Sequence, residues 1–211
     1  KPSSNILKMK SYLEKKELNY LKNKKSQKKF ITLDSNENPF GPPSNLKFRP
    51  SFIDTLNRYP DPLSSKFLSS LSNQLDISSD YLIAGAGSDE LLDLIIRCYA
   101  EKGETISSLF PTFGMYRIYA QINDVNYRPI KMSLNVNKSS KMANFEISKD
   151  KLLKNIENSK IVILARPNNP DGSLLNKNLV KSVLEERKLV ILDEAYIEFS
   201  QTKSLYKLTK E

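Results

Sequence analysis

Two short apolar runs, Ile161-Val162-Ile163-Leu164-Ala165 and Leu189-Val190-Ile191-Leu192, constrain this chain more than any other feature. Each is short, carries no polar alternation and is mostly β-branched or leucine, as a strand covered on both faces must be. Residues 176–187 between them have helical spacing, so the unit reads strand, helix, strand. Two doubly covered strands joined by a helix require a parallel sheet with right-handed crossovers and a helical layer on each face. The same alternation runs upstream. A strand near Thr105–Ser108 leads to Pro111 and a helix, and a strand follows near 125–131. A polar connection then reaches Ser148, which has the character of a helix cap for a helix extending to about Asn158. Further upstream, a helical stretch covers about 63–75, and Tyr81-Leu82-Ile83-Ala84 reads as a strand entering Gly85-Ala86-Gly87. A helix opens at Ser88-Asp89-Glu90 and turns Leu91, Leu92, Ile95, Ile96 and Tyr99 inward. The expected fold class is α/β, a three-layer sandwich with a mostly parallel sheet.

Composition limits the chemistry. The 211 residues include no histidine and one cysteine, Cys98. Those counts exclude, within the chain, a Ser-His-Asp triad, a Cys-His dyad, a zinc site of the common Cys/His type and an intrachain disulfide. The net charge of +9 is uneven, since residues 1–30 hold ten lysines against Glu14 and Glu17. The other 181 residues carry 23 basic and 22 acidic side chains, so the body is nearly neutral and neither nucleic acid nor membrane is expected as its partner. In the basic arm, Ile6, Met9, Leu13, Leu18 and Leu21 fall loosely at helical spacing and suit a surface leader. No apolar run approaches the ~20 residues needed to span a bilayer, and no signal-peptide core follows the first lysines, so a cytoplasmic location is expected.

In open α/β sheets, ligands sit beyond the carboxyl ends of the strands. Three segments place unusual residues there. In Gly85-Ala86-Gly87-Ser88-Asp89-Glu90, two glycines and a helix start suit an anion such as a phosphate, or equally a tight turn with Ser88 as the helix cap. A dinucleotide fingerprint fails because Glu90 stands at the third glycine, and the Gly-Lys-Ser/Thr of a P-loop is missing. Arg166-Pro167-Asn168-Asn169-Pro170-Asp171-Gly172 sets two amides in a proline-stiffened loop, or forms an ordinary turn. Asp193-Glu194-Ala195-Tyr196 ends the second apolar strand with a half-buried aspartate that needs a cationic or hydrogen-bonding partner.

Six segments in order resemble the fold-type I pyridoxal-phosphate enzymes of the class I/II aminotransferase family. They are Asn36-Glu37-Asn38-Pro39 with Gly41-Pro42, Arg58-Tyr59-Pro60-Asp61, Gly85 to Glu90, Pro111 to Tyr116, Pro167-Asn168-Asn169-Pro170 with Gly172, and Asp193 to Phe199. The resemblance implies the cofactor pyridoxal 5′-phosphate. It implies that Asp193 faces the pyridine nitrogen and that Asn169 and Tyr196 donate to the ring's 3-oxygen. Phe113 would stack on the ring, and Ser88 and Asp89 would receive the phosphate. Tyr59 is similar to the residue that reaches the cofactor phosphate of a neighbouring subunit, which implies a homodimer. Tyr12 and Asn36 fall where the family's N-terminal segment closes over substrate.

Within the family, the stretch 193–199 favours the branch that moves an amino group between glutamate and the phosphorylated keto substrate imidazole-acetol phosphate. Aromatic-amino-acid aminotransferases and phosphothreonine decarboxylases are the neighbouring readings. The sequence departs from the family pattern at Phe113, usually tyrosine, at Asp171, usually threonine, and at Arg166, where a smaller residue is common. Each is expected to be tolerated. The family's Schiff-base lysine lies in a Ser-x-x-Lys context beyond the aspartate, and Lys203, Lys207 and Lys210 come too early and in another context. On this resemblance residues 1–45 are a basic arm and substrate-side loop. Residues 46–211 are a cofactor-binding large domain that stops short of the lysine and of a C-terminal small domain, so the chain alone is expected to be inactive, and an open sheet missing later strands would expose apolar edges, so poor solubility is expected. A non-catalytic remnant or binding subunit is the alternative from another class. A nucleotide-binding Rossmann module is disfavoured by the missing third glycine.

Overall fold

The computed structural model describes residue 40 and residues 61–137 and 142–210. Tyr12, Asn36, Tyr59 and the basic arm lie outside the described residues. Two compact units divide the chain, one ending at Ala84 and one running on from Gly85.

In the first unit, helix α1 (Ser65–Leu75) starts beside Asp61. The Asp61 carboxylate accepts the backbone N–H groups of Leu63 at 3.0 Å and Ser65 at 2.7 Å, donors otherwise left over at a helix start. These bonds, that from the Ser65 N–H foremost, hold the Asp61 carboxyl below its ordinary value. The expected strand at Tyr81–Ala84 does not form. Tyr81 closes a 3-10 turn over Ser79–Tyr81, and residues 82–84 pair with no strand among the described residues. A four-residue apolar run becomes a strand only with a ladder partner, and here Ile83 is 70% exposed.

The second unit contains, in order, α2 (Gly87–Tyr99), β1 (Thr105–Phe110), α3 (Met115–Ile122), β2 (Asn126–Lys131), β3 (Ser133–Asn137) and β4 (Met142–Glu146). It continues with α4 (Lys149–Ile156), β5 (Ile161–Ala165), α5 (Lys177–Glu185) and β6 (Leu189–Asp193). Four strands form one sheet in the order β2-β1-β5-β6, and every pairing is parallel. The register sets Ile161 opposite Leu189 and Ala165 opposite Asp193. The chain steps outward from β1 to β2 and then returns to the other side of β1 as β5. That reversal makes a switch point between β1 and β5, the place where an open α/β sheet leaves a crevice at its carboxyl edge.

Alternate residues of β5 enter opposite layers. Ile161, Ile163 and Ala165 join Ile106, Leu92 and Ile96 of α2, and Tyr116, Tyr119 and Ala120 of α3. Val162 and Leu164 join Leu109, Ile130, Leu152 and Ile156 of α4, and Val180 and Val183 of α5. Each fully buried leucine or isoleucine contributes about 1.5–3 kcal/mol to holding the layers together. Ser148 does cap α4, its Oγ accepting the Lys151 N–H at 3.4 Å, although the helix ends at Ile156 rather than Asn158.

The polar connection after β2 is an antiparallel hairpin, β3 with β4, in which Leu134 faces Phe145 across the ladder. Ser133-Leu134-Asn135-Val136-Asn137 alternates with period two, a strand pattern that its polar content hides. Among the described residues no helix is long and apolar enough to cross a membrane.

Candidate functional site

The carboxyl ends of β1, β5 and β6 present Pro111-Thr112-Phe113, Arg166 to Gly172, and Asp193 to Tyr196 at one edge of the sheet. Asp193 closes β6 with its side chain half-buried. The Tyr116 hydroxyl donates to Asp193 Oδ2 at 2.6 Å, and the Ala195 N–H donates to Oδ1 at 3.1 Å. The hydrogen-bonding partner that a half-buried aspartate requires is thus a tyrosine from α3. Burial, and after it the Asp193 charge, pushes the Tyr116 phenol far above tyrosine's ordinary range, so it stays a donor. Phe113 is half-buried and meets the Tyr116 ring edge to face, centroids 5.6 Å apart at 84°.

Asn168 joins the loops on either side of the switch point. It is buried, its Oδ1 accepts from Thr112 Oγ1 at 2.9 Å, and its Nδ2 donates to the Pro111 carbonyl at 3.1 Å and to Asp171 Oδ1 at 2.7 Å. The Gly172 N–H closes the loop on the Asn168 carbonyl at 2.8 Å, with Gly172 at φ +69, a conformation that glycine adopts without strain. Asn169, next along this loop, is half-buried. Burial works to raise the Asp171 carboxyl, but hydrogen bonds from Asn168, Ser173 and the Phe145 N–H outweigh it and hold it below the ordinary value.

Behind the edge lies a buried ion pair, Arg166 Nη1 to Glu194 Oε1 at 2.8 Å, with Arg166 only 5% exposed. Arg166 also reaches Thr202 Oγ1 at 3.2 Å and the Lys203 carbonyl at 3.3 Å, while Glu194 accepts from Ser204 Oγ and the Leu205 N–H. Tyr196 leads into a 3-10 turn, Ile197–Phe199, and its ring lies 6.4 Å from that of Phe199.

Helix α2 corrects one alternative. Ser88 is not the helix cap: Ala86 occupies that position, and the Glu90 carboxylate accepts the Ala86 N–H at 2.6 Å. Ser88 and Asp89 lie in the first turn and are exposed, behind Gly87 at φ +79, around which a Cβ would meet nothing within 4 Å. Hence Phe113 and Asn169 lie in the loops that follow β1 and β5, Asp193 ends β6 with Tyr196 three residues on, and Ser88 and Asp89 start α2, whose Leu92 and Ile96 pack in the layer that holds Tyr116. Sequence reasoning gave no role to Tyr116, Asn168 or the Arg166–Glu194 pair. Only the burial that a tyrosine inside an amphipathic helix implies could have signalled the first.

Solved structures share this architecture. The crystal structure of histidinol-phosphate aminotransferase from Clostridium acetobutylicum matches with TM-score 0.61 and 29% identity, covering 75% of this chain and 45% of that one. That of the Sinorhizobium meliloti enzyme in complex with pyridoxal-5′-phosphate matches in fold with TM-score 0.69 at 21% identity, over 94% of this chain and 52% of that one. The parallel sheet layered between helices is therefore the α/β architecture of fold-type I transferases. Residues 28–209 match the family aminotransferase class I and II, and the chain belongs to that family. Curated relatives include histidinol-phosphate aminotransferase 1, chloroplastic, of Arabidopsis thaliana, 37% identical over 190 residues that cover 86% of this chain and 42% of the relative. Histidinol-phosphate aminotransferase of Flavobacterium psychrophilum is 37% identical over 177 residues, 82% of this chain and 45% of the relative. The chain spans less than half the length of these relatives.

Proposed function

We propose that the protein carrying this sequence is a pyridoxal-phosphate-dependent transaminase that moves an amino group between glutamate and imidazole-acetol phosphate, as a cytoplasmic homodimer. The observation that carries the reading is Asp193, a carboxylate at the end of a buried strand, oriented by two donors and flanked by an aromatic ring and an amide-bearing loop. The donor set fits pyridoxal 5′-phosphate: a carboxylate for a protonated ring nitrogen, an amide and a phenol for the 3-oxygen, and an aromatic face for stacking. The open space around Gly87, beside the first-turn amides of α2, suits a phosphate.

In this reading Asp193 holds a proton on the pyridine nitrogen. Asn169 Nδ2 and the Tyr196 hydroxyl donate to the 3-oxygen, and Phe113 covers one ring face. The Ser88 and Asp89 backbone amides receive the phosphate with the help of the helix dipole. The bound cofactor supplies an electron sink for the substrate's α-carbon. Residues 46–211 serve as the cofactor-binding large domain and residues 1–45 as an arm. Tyr59 reaches the partner subunit's phosphate, and Tyr12 and Asn36 border the substrate.

The test is turnover by the full-length protein. With pyridoxal 5′-phosphate, glutamate and imidazole-acetol phosphate, it is expected to form 2-oxoglutarate and histidinol phosphate, and Asp193→Ala to slow this about a hundredfold or more. Turnover of aromatic amino acids alone would overturn the substrate and leave the transaminase. Absence of any cofactor-dependent turnover would overturn both.

A further inference from the structure

The cofactor-facing groups named above touch only part of what holds them. Tyr116 is fully buried on α3, in the layer formed by Leu92, Ile96, Ile106 and Ile163. A phenol ring locked in this way has no freedom to swing, so its oxygen is a fixed point 2.6 Å from Asp193 Oδ2. The Ala195 N–H takes Oδ1, so both carboxylate oxygens are pinned and the carboxylate plane is set. Each oxygen keeps a further lone pair for a ring N–H. The edge contact at 5.6 Å makes the same tyrosine restrain the Phe113 ring. Two groups on different strand ends thus depend on one buried side chain whose partner in sequence is 77 residues away.

We propose that Tyr116 is a positioning residue of the cofactor site, fixing the Asp193 carboxylate for the pyridine nitrogen. A simple core tyrosine would need only some acceptor for its hydroxyl. This one is aimed at the acidic group on which the proposed function turns, and the inference rests on that reading. Asp89 on α2 and Tyr127 on β2 also act on the Tyr116 phenol, and both favour its protonated, donating form.

The experiment uses the full-length protein and pyridoxal 5′-phosphate itself as probe. Apparent dissociation constants and the position of the bound cofactor's absorption band are measured for wild type, Tyr116→Phe, Asp193→Asn and the double variant. Tyr116→Phe is expected to weaken binding roughly tenfold, the worth of one hydrogen bond to a charged group. Its band should move toward that of Asp193→Asn, and the double variant should bind no more weakly than Asp193→Asn alone. Tyr116→3-fluorotyrosine keeps the shape, makes the hydroxyl a stronger donor, and should move the band the opposite way, which serves if the phenylalanine variant fails to fold. Wild-type binding and band in both Tyr116 variants, or strictly additive losses, would overturn the role of Tyr116. An unaltered Asp193→Asn would instead overturn the cofactor reading beneath it.

Discussion

Asp171 illustrates how a single departure from a family pattern can be absorbed. Where threonine is usual, this chain carries a carboxylate that accepts Asn168 Nδ2 at 2.7 Å and the Phe145 N–H at 3.3 Å, tying the loop after β5 both to itself and to the hairpin. Those bonds favour the charged form more than burial opposes it, so its folded value lies below the 3.8 of an ordinary aspartate. A group with a depressed folded value stabilises the fold above its unfolded value and loses that contribution as pH falls through the folded one. The melting temperature of wild type is therefore expected to exceed that of Asp171→Asn by a constant margin above about pH 5, and the margin should shrink below pH 3.8. Melting curves of the two proteins across that range check it. A margin that grows on acidification would contradict the assignment.

At the scale of elements, the Arg166–Glu194 pair fastens the end of β5 to the stretch 202–205 that follows β6. Removing one partner of a buried pair leaves an uncompensated charge, at a cost of about 3–5 kcal/mol. Glu194→Ala should lower stability by that amount in urea titration, because Ser204 Oγ and the Leu205 N–H lose their acceptor too. Arg166→Met with Glu194→Leu should recover a large part of the loss. The residues also explain what was readable in advance. Strands β5 and β6 and helix α5 were legible because their burial is written locally, as apolar runs and a helical stripe. Asp193, Asn169 and Phe113 were legible as candidates because strand ends and proline-bound loops are marked in the chain. The hairpin was hidden because Ser133 to Asn137 alternates within a polar composition, and Tyr81–Ala84 misled because nothing local reveals whether a ladder partner exists. Tyr116, Asn168 and Arg166 found their roles across separations of 77, 56 and 28 residues, which only the register of the sheet creates.

For the molecule as a whole, the two ends of the sheet differ in kind. Strand β2 ends it with Arg128, Pro129 and Lys131, residues that discourage a further strand by charge and by a missing N–H. Strand β6 ends the other side with Leu189, Val190, Ile191 and Leu192, all half-buried, and no described strand pairs beyond it. An apolar strand with an open row of backbone groups is a template for another chain. The isolated 211-residue chain is therefore expected to self-associate through β6 rather than β2. Sedimentation should show an average mass rising with concentration above 24.1 kDa. Amide exchange at residues 189–193 should slow over the same range while that at 126–131 does not. A chain that stays monomeric as it is concentrated, or one protected at β2 instead, would mean that β6 is already shielded by residues outside the described sheet.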